Sequence, residues 1–166
     1  MGTREAAESQ QATEFFFRPM SQAAAEEIAA WRYPDEYSFY NWTSDPGDLA
    51  ELLDPVARAD QYFAVKTSDG NLLGFFQYKA AENRDLEIGL GLHPAWTGRG
   101  IGSRFLEAGL DFARRRFAPA TFALSVASFN RRAITVYERA GFTAVHTYTH
   151  RTNGGEWEFI AMKRSA

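Results

Sequence analysis

The stretch DLEIGLGLHPAWTGRGIGSRFLEAGLDFARRR changes its apolar period from two to nearly four across a glycine-rich break, and few chain arrangements accommodate that. Alternation before the break puts Leu86, Ile88, Leu90 and Leu92 on one face of a strand and Glu87, Gly89 and Gly91 on the other. After it, Ile101, Phe105, Leu106, Leu110 and Phe112 recur at helical spacing, predicting a helix from Arg99 to about Arg116. A strand feeding a long amphipathic helix through a tight turn belongs to a sheet with helices packed on it.

The surrounding chain fits that frame. Phe15 to Phe17 read as a first strand ended by Pro19, and Ser21 as the N-cap of a helix that Pro34 stops. A helix over Pro46–Leu53 precedes a hairpin, Gln61–Thr67 and Leu72–Lys79, turned by Asp69-Gly70. Beyond the glycine-rich break come a strand over Thr121–Ala127, a helix over Arg131–Ala140, and strands near Phe142–Thr149 and Glu156–Met162. The expected fold is α/β (α+β): a single domain with a mixed, mostly antiparallel central sheet of about six or seven strands flanked by about four helices. At 166 residues the chain suits one domain, placed at 14–166, with the polar residues 1–13 read as a disordered tail.

Composition excludes several function classes. A net charge of -3 gives no basic footprint for nucleic acid, and with no cysteine there is no disulfide, thiolate ligand or cysteine nucleophile. No apolar run approaches a membrane span and the N-terminal residues have no signal pattern, so the expected location is cytoplasmic, without a membrane partner. The three histidines, His93, His146 and His150, have no zinc-site spacing, so no metal is expected.

Two bare positions on one strand face, Gly89 and Gly91, mean either that a ligand approaches the backbone or that a bulge or inter-helix contact sits there. Glu87, beside them, is either a base or a solvated carboxylate. The following Trp96-Thr97-Gly98-Arg99-Gly100-Ile101-Gly102-Ser103 bares successive amides at a helix N-terminus, a site for a phosphate or diphosphate that Arg99 can reinforce. A GxxxxGK[ST] loop is absent, because Ser103 follows Gly102 with no lysine nearby. A GxGxxG fingerprint fails at Ser103 and lacks its acid on the next strand.

GLHPAWTGRGIGSRFLEAGLDFAR resembles the acetyl-CoA motif of the GNAT (GCN5-related N-acetyltransferase) superfamily, Gln/Arg-x-x-Gly-x-Gly/Ala, and ASFNRRAITVYERAGF resembles its second signature, Asn-x-x-Ala-x-x-x-Tyr-x-x-x-Gly-Phe. The likeness is good over 61–162 and looser over 14–60. Thr97 departs from it, standing where the family usually has Gln or Arg. The resemblance implies acetyl-CoA as cofactor, held by Leu90, Gly91 and Leu92 along the pantetheine arm and by Thr97, Gly98, Arg99, Gly100, Ile101, Gly102 and Ser103 at the diphosphate. It further implies that Asn130 contacts the cofactor and that Tyr137 reaches its sulfur. From the residues alone, Asn130 is equally an N-cap and Tyr137 a core aromatic.

The activity expected is transfer of an acetyl group to a primary amine, with Glu87 as general base and Tyr137 as general acid. A non-catalytic acyl-CoA-binding module of the same fold and a nucleotide-dependent enzyme are the alternatives. The aromatic segment WRYPDEYSFYNW, with Tyr33, Tyr37, Phe39, Tyr40 and Trp42, is either a lid on the core or the pocket of a small-molecule or peptide amine acceptor. The chain is expected to act as a monomer or homodimer.

Overall fold

The computed structural model describes residues 14–166, so the expected tail at 1–13 lies outside the described residues. Strand β1 (Phe16–Pro19) leads into helix α1 (Gln22–Ala29), whose first turn is fixed where the Ala24 amide donates to the Ser21 hydroxyl at 3.1 Å. That helix ends at Ala29, before Pro34 has any part in stopping it. The aromatic segment winds into two 3-10 turns, Asp35–Tyr40 and Trp42–Ser44. Helix α2 (Pro46–Leu53) is capped by Asp45, and a single-turn helix α3 (Pro55–Arg58) follows it, capped by Asp54.

Strands β2 (Tyr62–Lys66) and β3 (Leu72–Ala80) form the expected hairpin, closed where the Gly70 amide donates to the Thr67 carbonyl at 2.9 Å. Strand β4 (Asp85–Leu92) then runs to the glycine-rich turn. Helix α4 (Gly102–Phe117) begins three residues later than expected at Arg99, because Gly98 and Gly100 take φ of 73° and 75° and cannot continue a right-handed helix. After β5 (Thr121–Ala127) and α5 (Arg131–Arg139), strands β6 (Thr143–Thr152) and β7 (Gly155–Ser165) pair along more residues than expected. The reason is Asn153-Gly154, both at positive φ, a two-residue turn that carries the ladder to its tip.

The seven strands make one sheet in the order β1-β2-β3-β4-β5-β7-β6, with every neighbouring pair antiparallel except β4 and β5. Alternation splits the core in two. Phe63, Phe76, Tyr78, Leu86, Ile88 and Phe122 face α4 and α5, meeting Phe105, Leu106, Leu110 and Ile134. Tyr62, Ala64, Leu72 and Phe75 face the other way, meeting Ala24, Ala25 and Ile28 of α1 with Trp31 and Leu52. Burial on both faces explains why β2 and β3 read as nearly continuous apolar runs. Among the described residues, no helix is long and apolar enough to cross a membrane.

Candidate functional site

Strands β4 and β5 are paired over three rungs only, Asp85 with Thr121, Leu86 with Phe122 and Glu87 with Ala123. Beyond that vertex they diverge, and a cleft of about 550 Å³ opens between Ile88–Leu92 and Leu124–Val126. The His93 amide donates to the Leu73 carbonyl on β3 at 2.7 Å. In an antiparallel ladder successive residues face opposite edges, so the main-chain groups of Leu90 and Leu92 point into the cleft. One of them is engaged, since the Tyr33 hydroxyl donates to the Leu92 carbonyl at 2.6 Å. The bare face of Gly91 is covered from within the protein: a Cβ there would stand 2.5 Å from the Phe75 ring. Gly91 is therefore required by Phe75, whatever else approaches it.

At the far end of β4 lies the turn from Thr97 to Ser103. The first helical bond of α4 runs from the Phe105 amide to the Ile101 carbonyl at 2.9 Å; among the described residues no amide from Thr97 to Arg104 has a protein acceptor. Gly98, Arg99, Gly100, Ser103 and Arg104 are exposed, and a Cβ on Gly100 would meet nothing within 4 Å. Unengaged amides at the N-terminus of a sixteen-residue helix suit a diphosphate in donor geometry and in the sign of the macrodipole. The Thr97 hydroxyl is turned away and donates to the Pro94 carbonyl at 2.8 Å, while the Arg99 guanidinium lies 5.3 Å over the Trp96 ring.

Helix α5 closes the cleft from the side of β5. Asn130 is the N-cap, its Oδ1 accepting from the Ala133 amide at 3.1 Å, and its Nδ2 donates to the Tyr40 hydroxyl at 3.0 Å. It thus fills the capping role and faces the cleft as well. Tyr137 lines the cleft, its ring edge-on to Phe142 at 6.1 Å, and its hydroxyl has no protein partner among the described residues. Burial, with a smaller contribution from Tyr40, pushes the Tyr137 hydroxyl above the ordinary tyrosine range and keeps it protonated. Glu87 sits at the vertex with its side chain exposed, outside the cleft lining; Ser125 of β5 does line it.

Tyr33, Tyr37, Phe39, Tyr40 and Trp42 all line the cleft at the end remote from the sheet vertex. Trp42 also packs on Phe75 at 5.7 Å, at the margin of the second core, so the segment covers core as well as lining the cleft. The β6–β7 hairpin holds the segment in place: Asn153 Nδ2 donates to the Phe39 carbonyl at 2.6 Å and the Thr152 hydroxyl to Asp45 Oδ2 at 2.8 Å. Phe39 further meets Trp157 at 4.9 Å and Phe129 at 5.5 Å, edge to face. Sequence reasoning missed Asp45, Asp48, Phe75, Arg132, His150 and Phe159 as lining residues. Only Asp45 had a local signal, its place ahead of Pro46 at a helix start. The Asp48 amide and the Thr152 hydroxyl hold the Asp45 carboxyl below its ordinary range, whereas burial and the charges of Asp45 and Glu51 raise that of Asp48.

A family model described as an acetyltransferase (GNAT) domain matches residues 14–143. A mycothiol acetyltransferase of Acidimicrobium ferrooxidans is 32% identical over 145 residues, covering 78% of this chain and 43% of that protein. A streptothricin acetyltransferase of Streptomyces lavendulae is 36% identical over 105 residues, 60% of this chain and 51% of the relative. The matches thus span about half or less of the curated relatives' length. Among solved structures, a spermidine N-acetyltransferase from Vibrio cholerae in complex with CoA and spermine superposes with a TM-score of 0.74 at 20% identity, over 91% of this chain and 95% of that one, a likeness of fold.

Proposed function

The chain belongs to the acetyltransferase (GNAT) family, and from that premise we propose that it is an acetyl-CoA-dependent N-acetyltransferase acting on a primary amine in the cytoplasm. The observation that supports this most is the exposed run of unengaged amides from Thr97 to Arg104 at the mouth of a cleft that β4 and β5 open between them. Residues 14–166 act as one domain in this reading, since β7 pairs with β5 over seven rungs and so ties the last hairpin to the cleft wall.

Acetyl-CoA, when bound, supplies an activated acetyl thioester. The amides of Gly98 to Ser103 would hold its diphosphate, and the Leu90 main chain with the Leu92 amide would bind its pantetheine arm. Tyr137 holds a proton at Oη for the departing sulfur. Glu87, at the vertex but facing solvent, takes the proton of the incoming ammonium through water, which an amine protonated near neutral pH requires before it can attack. Holding amine and thioester in line supplies much of the remaining acceleration. The aromatic end of the cleft takes the acceptor. The relatives' names point to small molecules as acceptors, with mycothiol, streptothricin and spermidine among them.

The exposure of Glu87 favours one other reading, a module that binds acyl-CoA without turnover. The test is thiol release from acetyl-CoA over a panel of amines, with product masses and calorimetric CoA binding read alongside. Release with an acetylated product establishes the enzyme. CoA binding without release on any amine establishes the module, and absence of CoA binding refutes both.

A further inference from the structure

Thr97 stands where the resembled motif would place Gln or Arg, and its hydroxyl is turned back onto Pro94. The amides that remain are neutral donors facing what, on the acetyl-CoA reading, is a doubly charged diphosphate. Arg99, the turn's own cation, lies over the Trp96 ring, and a second cation reaches the turn from another element. Arg132, in the first turn of α5, lines the cleft; its Nη1 lies 3.8 Å from the point a Cβ on Gly98 would occupy. The guanidinium lies over Tyr37, with Cζ 4.3 Å from the ring centroid. It has no hydrogen-bond acceptor and no carboxylate partner among the described residues.

The position is electrostatically odd. Helix α5 carries Arg131 and Arg132 in its first turn and no acid there, although the positive end of a helix macrodipole disfavours cations. An anion shared between this end of α5 and the N-terminus of α4 reverses the sign of that interaction.

We infer that Arg132 binds the diphosphate of the CoA moiety, replacing from α5 the contact that Thr97 does not make, with Tyr37 holding its guanidinium in place. The inference rests on the acetyl-CoA reading of the cleft. It also joins the two ends of the site, because Tyr37 belongs to the aromatic segment that receives the acceptor. A guanidinium held by stacking loses less freedom when it grips two phosphate oxygens, which is where Arg differs from Lys.

The test compares wild type with Arg132→Met, which keeps the side-chain stem and removes the charge, and with Arg132→Lys. Dissociation constants are measured by calorimetry, with displacement where binding is weak, for CoA, dephospho-CoA and the phosphate-free S-acetylpantetheine. Losing a charge-assisted phosphate contact at an exposed site should weaken CoA and dephospho-CoA alike by about 10-fold in Arg132→Met, and by less in Arg132→Lys, with S-acetylpantetheine unchanged. An equal loss on all three ligands would make Arg132 a packing residue for Tyr37 and overturn the inference. A loss on CoA that disappears with dephospho-CoA would move the contact to the 3′-phosphate and overturn the diphosphate assignment. No loss on any ligand overturns it too. If wild type binds neither CoA nor dephospho-CoA, the acetyl-CoA reading itself has failed, and the inference with it.

Discussion

Replacing Tyr137 by Phe removes one oxygen from the cleft wall and leaves the ring where it packs, edge-on to Phe142. The hydroxyl has no protein partner among the described residues, so no hydrogen bond to them is broken and no buried acceptor is orphaned; the folded state should change by less than about 0.5 kcal/mol, roughly 1–2 °C in Tm for a chain of this size. Turnover should respond quite differently. An acid that delivers a proton to a leaving group is typically worth about 10²–10⁴ in rate, and kcat should fall by about 10² with KM for acetyl-CoA little altered. The pH dependence follows from the direction of the pKa. Burial, then Tyr40, raises the Tyr137 hydroxyl above the ordinary value of about 10, so its protonated form is the only one populated below that pH. The ratio of wild-type to Tyr137→Phe rates should therefore stay flat from about pH 6.5 to 10. The assay is thiol release at saturating acetyl-CoA across that range, with a thermal melt of each protein. A kcat within about threefold of wild type would remove the acid role. A ratio collapsing towards one above about pH 8 would show that the hydroxyl ionises there and that burial does not govern it.

Glu87→Gln is isosteric at an exposed position, so CoA affinity and Tm should be unchanged while kcat falls by about 10² or more; unchanged thiol release would take Glu87 out of the mechanism. Gly109→Ala tests the packing of α4 on the sheet, because a Cβ at Gly109 would run into the Phe76 ring, and Tyr78 Oη already donates to the Gly109 carbonyl at 2.7 Å. Overpacking of that kind should cost about 1–3 kcal/mol and lower Tm by about 2–12 °C, and an unchanged melt would show that Phe76 has room to move.

The glycine-turn half of the cleft is legible in the sequence because its geometry is local. Gly98 and Gly100 encode left-handed backbone, the apolar period of Ile101, Phe105, Leu106 and Leu110 encodes the helix, and their adjacency leaves the amides between them unengaged. Even there the helix start was misplaced, since the glycines that bare the amides are also those that delay it. Alternation along β4 assigned Gly89, Gly91 and Glu87 to one face correctly. It carried no information on what lies over that face, and so could not foresee Phe75 over Gly91 or solvent over the Glu87 side chain.

The aromatic half is a different kind of object. Thr152 meets Asp45 across 107 positions and Asn153 meets the Phe39 carbonyl across 114, and no local periodicity encodes contacts at such separations. The aromatic segment was visible as composition, but its shape depends on where the β6–β7 hairpin ends. That is set by the Asn153-Gly154 turn and by a register shift between Ala144 and His146. Phe39 is held on four sides by aromatic rings from three segments of chain, so changes in any of them alter the pocket without touching the glycine turn. An architecture built this way fixes the glycine-turn half of the cleft through short-range main-chain geometry and leaves the aromatic half to long-range side-chain contacts. Arg132 and Tyr37 lie on the boundary between the halves, where the order of one site reaches the other.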